Sequence, residues 1–463
     1  MLHLVLGVSG CGKSGHLLQT IRERALAGEK SVLIVPEQFT SSTEGRLYQL
    51  LGDELSGYVT SYSFTSLAED ILQAYGGAAV RPLTDAGRAV LVRRALQSMG
   101  PNLVYYSRHR RSAAFCEKCA ETLDEFKSAG LSPQQLEQLA KNTGHSSRKL
   151  GELAGIYAAY QALLEGSAMD PGDRVLAAAR ALQPEFFAGR AVFIDEFDTF
   201  NAPKRRLLEA MLTMAGDVTV ALCCDGMEDY EGGLGLFSGA KQMAAALRQL
   251  ARKNSVPVAA PLVLDTDWRH RGAPDLARLN RLLAGSLEDP APADEHQLTL
   301  WQAPTRADEA KQVAAAIQAL ARQGVPYGKM AVICRDSENY LAPIRYEFRL
   351  AGIPLFCDEA TTAEHAAPVR LVRALLALLR RGLCTENLLA VAKTGLTGLS
   401  EEQLCALENY TYTWQLTAAQ WRQPFTLSPA GFGANTLSEK AKEEQEKQLA
   451  LAEEGRAFLV DKL

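Results

Sequence analysis

The sequence predicts an α/β fold: two parallel-sheet units in tandem, the first interrupted by an all-α block. Three observations carry this expectation. Short apolar runs alternate with segments of helical period from residue 2 to 75 and again from 298 to 381, the order that puts helices on both faces of a parallel sheet. Between Pro82 and Gln183 the period is helical throughout. The first apolar run leads directly into a glycine-rich turn, Gly7-x-x-x-x-Gly12-Lys13-Ser14, with a helix-compatible segment behind it.

The elements follow in order. Leu2–Leu6 reads as a buried strand and His16–Leu26 as a helix. In the turn between them, Gly7, Gly10 and Gly12 allow successive backbone N–H groups to face phosphate oxygens, and the helix start adds partial positive charge. Lys13 is placed to reach β/γ-phosphates, and the Ser14 hydroxyl to ligate Mg²⁺, so ATP with Mg²⁺ is the expected ligand. Ser31–Pro36 is a second strand, followed by polar Glu37–Thr43 and a helix from about Glu44. Tyr58–Ser63 is a third strand, and Phe64–Tyr75 a helix by its apolar spacing.

The helical block comprises Ala86–Met99, Ser112–Ala129, Ser132–Lys141, Lys149–Glu165 and Arg174–Leu182. Ser132-Pro133 supplies a capping hydroxyl with proline in the first turn. Its basic cluster, Arg108-His-Arg-Arg111, suits either a phosphate backbone or a solvated helix start. The sheet resumes at Gly189–Asp198, where four apolar residues end in Asp195 and Glu196. Asp195 is the candidate Mg²⁺ ligand and Glu196 the group that polarises an attacking water. Val218–Cys224 is the next strand, an acidic glycine-rich loop runs to Phe237, and a helix covers Ser238–Arg252.

Gly285–His296, with its prolines and acids, reads as a linker. Beyond it the sequence predicts strands at Leu298–Gln302, Met330–Cys334 and Pro354–Cys357, with helices at Arg306–Gln323, Asn339–Ala351 and Val369–Arg381. The domain layout expected is 1–80 with 185–285 as the first sheet unit, 81–184 as the insertion and 296–463 as the second unit. The charged helical tail from Thr436 stops at Leu463 without a stop signal, which suggests a part of something longer.

A chain of 463 residues holds two or three such domains. A net charge of −5 excludes general attraction to nucleic acid, so any DNA contact must be local. Nine scattered cysteines fit a reduced, cytoplasmic setting. Met1 leads straight into the first strand, which leaves no signal peptide, and no apolar run approaches the roughly 18 residues of a membrane span. Cys116-x-x-Cys119 has no partner pair nearby and reads as core rather than as a metal site.

Several stretches together resemble the B-subunit family of the bacterial AddAB (RexAB) helicase–nucleases. They are Gly7–Ser14, Val35-Pro-Glu-Gln38, Val59–Leu67, Glu125–Gly130, Ile194–Phe197, Asp336–Tyr340 with Gly352-Ile-Pro354, and Lys393–Leu399 with Leu407-Glu-Asn-Tyr410. The resemblance implies tandem RecA-like domains of superfamily 1 helicase type with an all-α insertion. It implies a bacterial, cytoplasmic heterodimer with an A-type helicase–nuclease subunit, processing double-strand DNA ends for recombinational repair and reading Chi on the passing single strand. The family's nuclease domain and its iron–sulfur cluster are expected only in a C-terminal region that this chain does not match. The resemblance also implies single-strand contacts at Gln38, Tyr62, Phe64 and Thr65, on loops at the edge where ligands of parallel sheets bind. Arg269 and Arg271 are further candidates, against DNA or against the nucleotide.

Some positions depart from an active motor. Asp195-Glu-Phe-Asp198 lacks the glutamine of the UvrD-type pattern, and Cys224–Asp229 supplies neither the glutamine nor the basic residue of the next motif. Gly7 also stands too near Met1 for an upstream adenine-contacting glutamine. Nucleotide binding with weak or no turnover is therefore expected, the alternatives being a self-sufficient helicase and a P-loop kinase or transferase.

Overall fold

The computed structural model describes residues 1–462 apart from 77–82, 143, 145–146, 166–167, 229, 231, 284–296 and 359–361. The expected linker lies outside the described residues. Two compact units divide at Leu300: Met1–Leu300 and Trp301–Leu463.

In the first unit, apolar runs without polar alternation form strands covered on both faces. The elements are β1 (Leu2–Gly7), α1 (Lys13–Leu26), β2 (Lys30–Ile34), α2 (Thr40–Ser56), β3 (Val59–Tyr62) and α3 (Phe64–Tyr75). The helical block follows as α4 (Asp85–Met99), α5 (Ala113–Ala129), α6 (Pro133–Asn142), α7 (Ser147–Leu164) and α8 (Pro171–Ala181). The sheet is then completed by β4 (Arg190–Ile194), α9 (Ala202–Met214), β5 (Val218–Cys223), α10 (Ser238–Lys253), β6 (Leu262–Leu264) and α11 (Pro274–Leu283). Among the described residues the sheet has six strands in the order β3-β2-β4-β5-β1-β6, each paired in parallel with its neighbours. All strand C-termini therefore open on one edge. The sequence does not predict β6. Its run Leu262-Val-Leu264 is short and half-exposed, and it is held by pairing with Val5 and Leu6 of β1.

Alternate residues of each strand serve opposite faces. Leu4, Leu6, Ile34, Val192, Ile194 and Val220 meet α3, α8, α9 and α10, whereas Val5, Leu33 and Phe193 meet α1 and α2. The helical block builds its own core from residues such as Leu96, Leu123, Ile156 and Tyr160. Cys116 and Cys119 belong to that core, and burial pushes the Cys119 thiol up to about 12. Buried Lys127 is neutralised there by Asp170 and Asp173, and Tyr160 donates to Asp170. The Glu152 carboxylate accepts the backbone N–H groups of Val104, Tyr105 and Tyr106 at 2.9, 2.6 and 3.0 Å, which fixes the turn leading to the Arg108–Arg111 cluster, where Arg108 and Arg111 are exposed and Arg110 donates to the Gly100 carbonyl.

The second unit contains α12 (Arg306–Arg322), α13 (Ser337–Leu350), α14 (Ala367–Arg381), α15 (Thr385–Ala392), α16 (Glu401–Trp414), α17 (Ala418–Trp421) and α18 (Glu439–Ala457). The three strands expected between 298 and 357 do not form: their described residues belong to no strand. Leu300, Ile333 and Phe356 are 98%, 97% and 89% exposed. A parallel strand needs a neighbour for its backbone groups and a cover for its faces, and neither is present among the described residues of this unit. α12 and α13 pack through Ala314, Ile317, Ile344 and Phe348. A second cluster gathers Leu388, Leu407, Tyr410 and Trp421, with the Tyr410 ring stacked on Phe425 at 4.2 Å. Among the described residues, no helix is long and apolar enough to cross a membrane.

Candidate nucleotide-binding site

β1 ends at Gly7, and the chain turns through residues 8–12 into α1. Gly10 and Gly12 both have φ of +87°, a region open to glycine at little cost. A Cβ on Gly7 would stand 2.2 Å from the Cys11 sulfur and 2.7 Å from the Leu264 carbonyl oxygen, so that position has no room for a side chain. No side chain caps α1, and no acidic residue stands in its first turn. Its positive end is thus left open to an anion. Lys13 Nζ donates to the carbonyls of Gly7 and Val8 at 2.8 and 3.0 Å, folded back along the turn.

β4 delivers the two acids. One strand, β5, lies between β1 and β4, and Ser14 at the start of α1 reaches across to them. Its hydroxyl donates to Glu196 Oε1 at 3.3 Å. Asp195 is 7% exposed, and its Oδ1 accepts the Glu196 N–H at 2.9 Å. Burial pushes the Asp195 carboxyl above its ordinary value, opposed by the Ser14 hydroxyl and raised further by the Glu196 charge. Such a carboxylate gains from a cation beside it. Glu196 itself has φ of +63°, a conformation that costs a non-glycine residue about 1–2 kcal/mol. Ser14, Asp195 and Glu196 share a small crevice with Thr43 and Arg46. A buried carboxylate, a hydroxyl and an open helix start fit Mg²⁺ and a phosphate chain; the oxygen donors are those that Mg²⁺ prefers.

Sequence reasoning missed the strap that closes over the turn. After β6, the Trp268 and Arg269 N–H groups both donate to the Gly10 carbonyl, at 3.0 and 3.3 Å. Arg269 Nη1 donates to the Ser9 hydroxyl at 3.1 Å, and Asn280 Nδ2 of α11 donates to the Ser9 carbonyl at 3.1 Å. Asp267 is held by His270 Nδ1 at 2.8 Å. The Arg271 guanidinium lies 3.4 Å from the centre of the exposed Trp268 ring. Arg269 therefore touches the phosphate turn directly, and Arg271 is tied to it through the Trp268 ring. The bounded apolar run Pro261–Leu264 was the available signal for β6 and hence for the strap.

The candidate DNA residues at the β2–β3 end divide. Gln38 and Thr65 are exposed on the strand C-terminal edge. Tyr62 and Phe64, expected among the single-strand contacts, are both buried in the core and present no open ring face. Tyr62 is 9% exposed and donates to Asp70 at 2.8 Å, and burial and that bond push its phenol up to about 12. Phe64 is 2% exposed, wedged edge-on against Phe197 at 5.2 Å and Phe200 at 5.9 Å. The Lys204 ammonium covers this aromatic group, 5.6 Å from Phe64 and 5.4 Å from Phe197. Phe39, beside Gln38, is the ring exposed at that end.

Comparison with known proteins matches residues 4–280 to the family described as ADDB, N-terminal. The B subunit of the ATP-dependent helicase/deoxyribonuclease of Symbiobacterium thermophilum is 30% identical over 441 residues, covering 91% of this chain and 38% of the relative. Proteins of the same name from Moorella thermoacetica (31% over 436 residues) and Acetivibrio thermocellus (26% over 431 residues) align with the same 91% and 38% coverage. The chain thus spans 38% of the length of these relatives.

Proposed function

The chain belongs to the AddB N-terminal family, and from that premise we propose that it is part of the B subunit of a heterodimeric ATP-dependent helicase–nuclease that processes double-strand DNA breaks. In this proposal the first unit clamps Mg-ATP and follows single-stranded DNA, with weak or no turnover of its own. The name shared by the relatives supports the ATP dependence and the subunit role.

The observation that carries the nucleotide half is the convergence of Lys13, Ser14, Asp195 and Glu196 on one end of β1 and β4. Ser14 and Asp195 would hold Mg²⁺, which supplies charge neutralisation to the β- and γ-phosphate oxygens. Lys13 leaves two backbone carbonyls to meet a phosphate, and Arg269 stands ready beside Ser9. Weak turnover is supported by Glu196, whose carboxylate engages Ser14 from a strained backbone, and by Asp195-Glu-Phe-Asp198 and Cys224–Asp229, which lack the motor glutamines. Single-strand contact is supported by exposed Gln38, Phe39 and Thr65 and half-exposed Lys204, just beyond the C-terminal ends of β2, β3 and β4.

The test is ATPase measured with and without single-stranded DNA, alongside filter binding across a salt series and co-purification of the full-length subunit with an A-type partner. Salt-sensitive DNA binding, tight Mg-ATP binding and slow turnover are expected. Turnover of many per second abolished by Lys13→Ala would point instead to a self-sufficient helicase. Nucleotide binding without single-strand affinity would point to a P-loop kinase or transferase.

A further inference from the structure

A cleft of about 820 Å³ lies between the helical block and α9 and α10. It is separate from the nucleotide site. Along α9, Lys204 faces Phe64 and Phe197, whereas the next two residues, Arg205 and Arg206, line the cleft. The floor is apolar, made by Leu176 of α8 and Met243, Leu247 and Leu250 of α10. Its wall is firm: at Gly130, which ends α5 with φ of +77°, a Cβ would stand 2.8 Å from the Ala202 Cβ.

The charges around the floor are unevenly used. Glu209 is held by Arg206 at 3.0 Å, Lys253 at 3.3 Å and Asn254 at 3.1 Å, and these bonds, the one from Asn254 foremost, keep its carboxyl below the ordinary value. Lys127 is neutralised by Asp170 and Asp173. Arg180 and Arg205 remain, both exposed and without an ion-pair partner among the described residues. In a chain of net charge −5, two free guanidinium groups above an apolar floor ask for an acidic, partly apolar occupant. Nucleic acid fits poorly. The one ring in the lining, Tyr157, is 3% exposed, so no platform is offered to a base. A helix about 10–12 Å across fills a volume of this size with roughly two turns.

We infer that this cleft is a docking groove for an acidic amphipathic helix of the partner subunit. Apolar side chains at helical spacing enter the floor, and flanking Asp or Glu side chains take bidentate bonds from Arg180 and Arg205. The inference rests on the heterodimer proposed above.

The experiment uses the full-length subunit with the photo-crosslinking residue benzoylphenylalanine in place of exposed Gln249, mixed with its A-type partner. Gel filtration reports whether the heterodimer forms, and mass spectrometry reports what residue 249 captures. Capture of a partner segment carrying acids at helical spacing is expected. Arg180→Glu with Arg205→Glu should weaken the heterodimer on the order of tenfold, while melting temperature and Mg-ATP affinity stay unchanged. A heterodimer in which residue 249 captures nothing, or captures a segment without acids, overturns the inference. So does crosslinking to single-stranded DNA, which would make the cleft a nucleic-acid track. Failure to form any heterodimer removes the partner itself, and gel filtration separates that outcome from the others.

Discussion

Ser14 and Glu196 are joined by a hydrogen bond of 3.3 Å across the gap between the start of α1 and the end of β4. The hydroxyl that should face a metal ion is thereby donated to the residue that should face a water. Asp195, buried next to both, carries the charge that a metal would neutralise. The contact makes these three side chains a coupled set, so substitutions in it should have effects of different sign on folding and on binding.

Asp195→Asn should stabilise the metal-free chain at neutral pH. Burial holds the folded-state pKa above the ordinary aspartate value, so the folded state holds the proton more tightly than the unfolded one. The resulting stability is full below the unfolded pKa and lost as pH rises through the folded one. Removing the charge removes that loss. Thermal unfolding without Mg²⁺ should shift upward in the variant, with less pH dependence between the two pKa values, while Mg²⁺-dependent ATP binding disappears. A lower unfolding temperature would contradict this account.

Glu196→Gly should relieve the backbone at φ +63° and stabilise the first unit by about 1 kcal/mol. Urea unfolding reads that gain. Residual ATP turnover, if any, should fall to background in the same variant.

Lys13→Ala removes a cation that bonds to the turn's own carbonyls in the absence of ligand. A charge-assisted hydrogen bond contributes about 1.5–3 kcal/mol, so Mg-ATP affinity should drop about 10- to 100-fold. A fluorescent-nucleotide titration measures the drop. An unchanged affinity would remove the turn from the binding site.

Phe64 and Lys204 should behave oppositely. Phe64→Ala opens a cavity beside Phe197 and Phe200, with a cost of about 3–5 kcal/mol, and any loss of DNA binding should follow unfolding. Lys204→Ala should leave the unfolding midpoint nearly in place, because the ammonium is half-exposed, and reduce the salt slope of single-strand binding by about one ion.

Much of the first unit was legible in the sequence because its strands are continuous apolar runs and its turn has only one use for that glycine spacing. Among the described residues, five of its six strands and the helices α4 to α8 of the insertion follow from period and punctuation alone. β6 escaped because three residues carry no period, and the Trp268–Arg269 strap escaped with it. Tyr62 and Phe64 stayed ambiguous for a different reason: a ring at a strand end serves the core or a ligand equally well, and only the packing partners decide. In the second unit, the apolar runs at 298–302, 330–334 and 354–357 have strand chemistry, but strand formation is a property of neighbours and not of the run itself.

The position of β1 has a consequence for how the protein is made. Leu2 pairs with Val218, and Val5 pairs with both Ala221 and Leu262, so β1 is seated between β5 and β6, two strands made more than 200 residues after it. Contacts of such sequence separation form slowly. During translation β1 must wait, apolar and unpaired, until β5 at 218–223 has emerged, its other edge stays open until β6 at 262–264 follows, and the strap that ties Gly10 to Trp268 comes later still. The candidate nucleotide site is thus a late product of folding. A ligand of that site can bind only a finished first unit, and so stabilises chains whose β1 has found its place over those in which it has not.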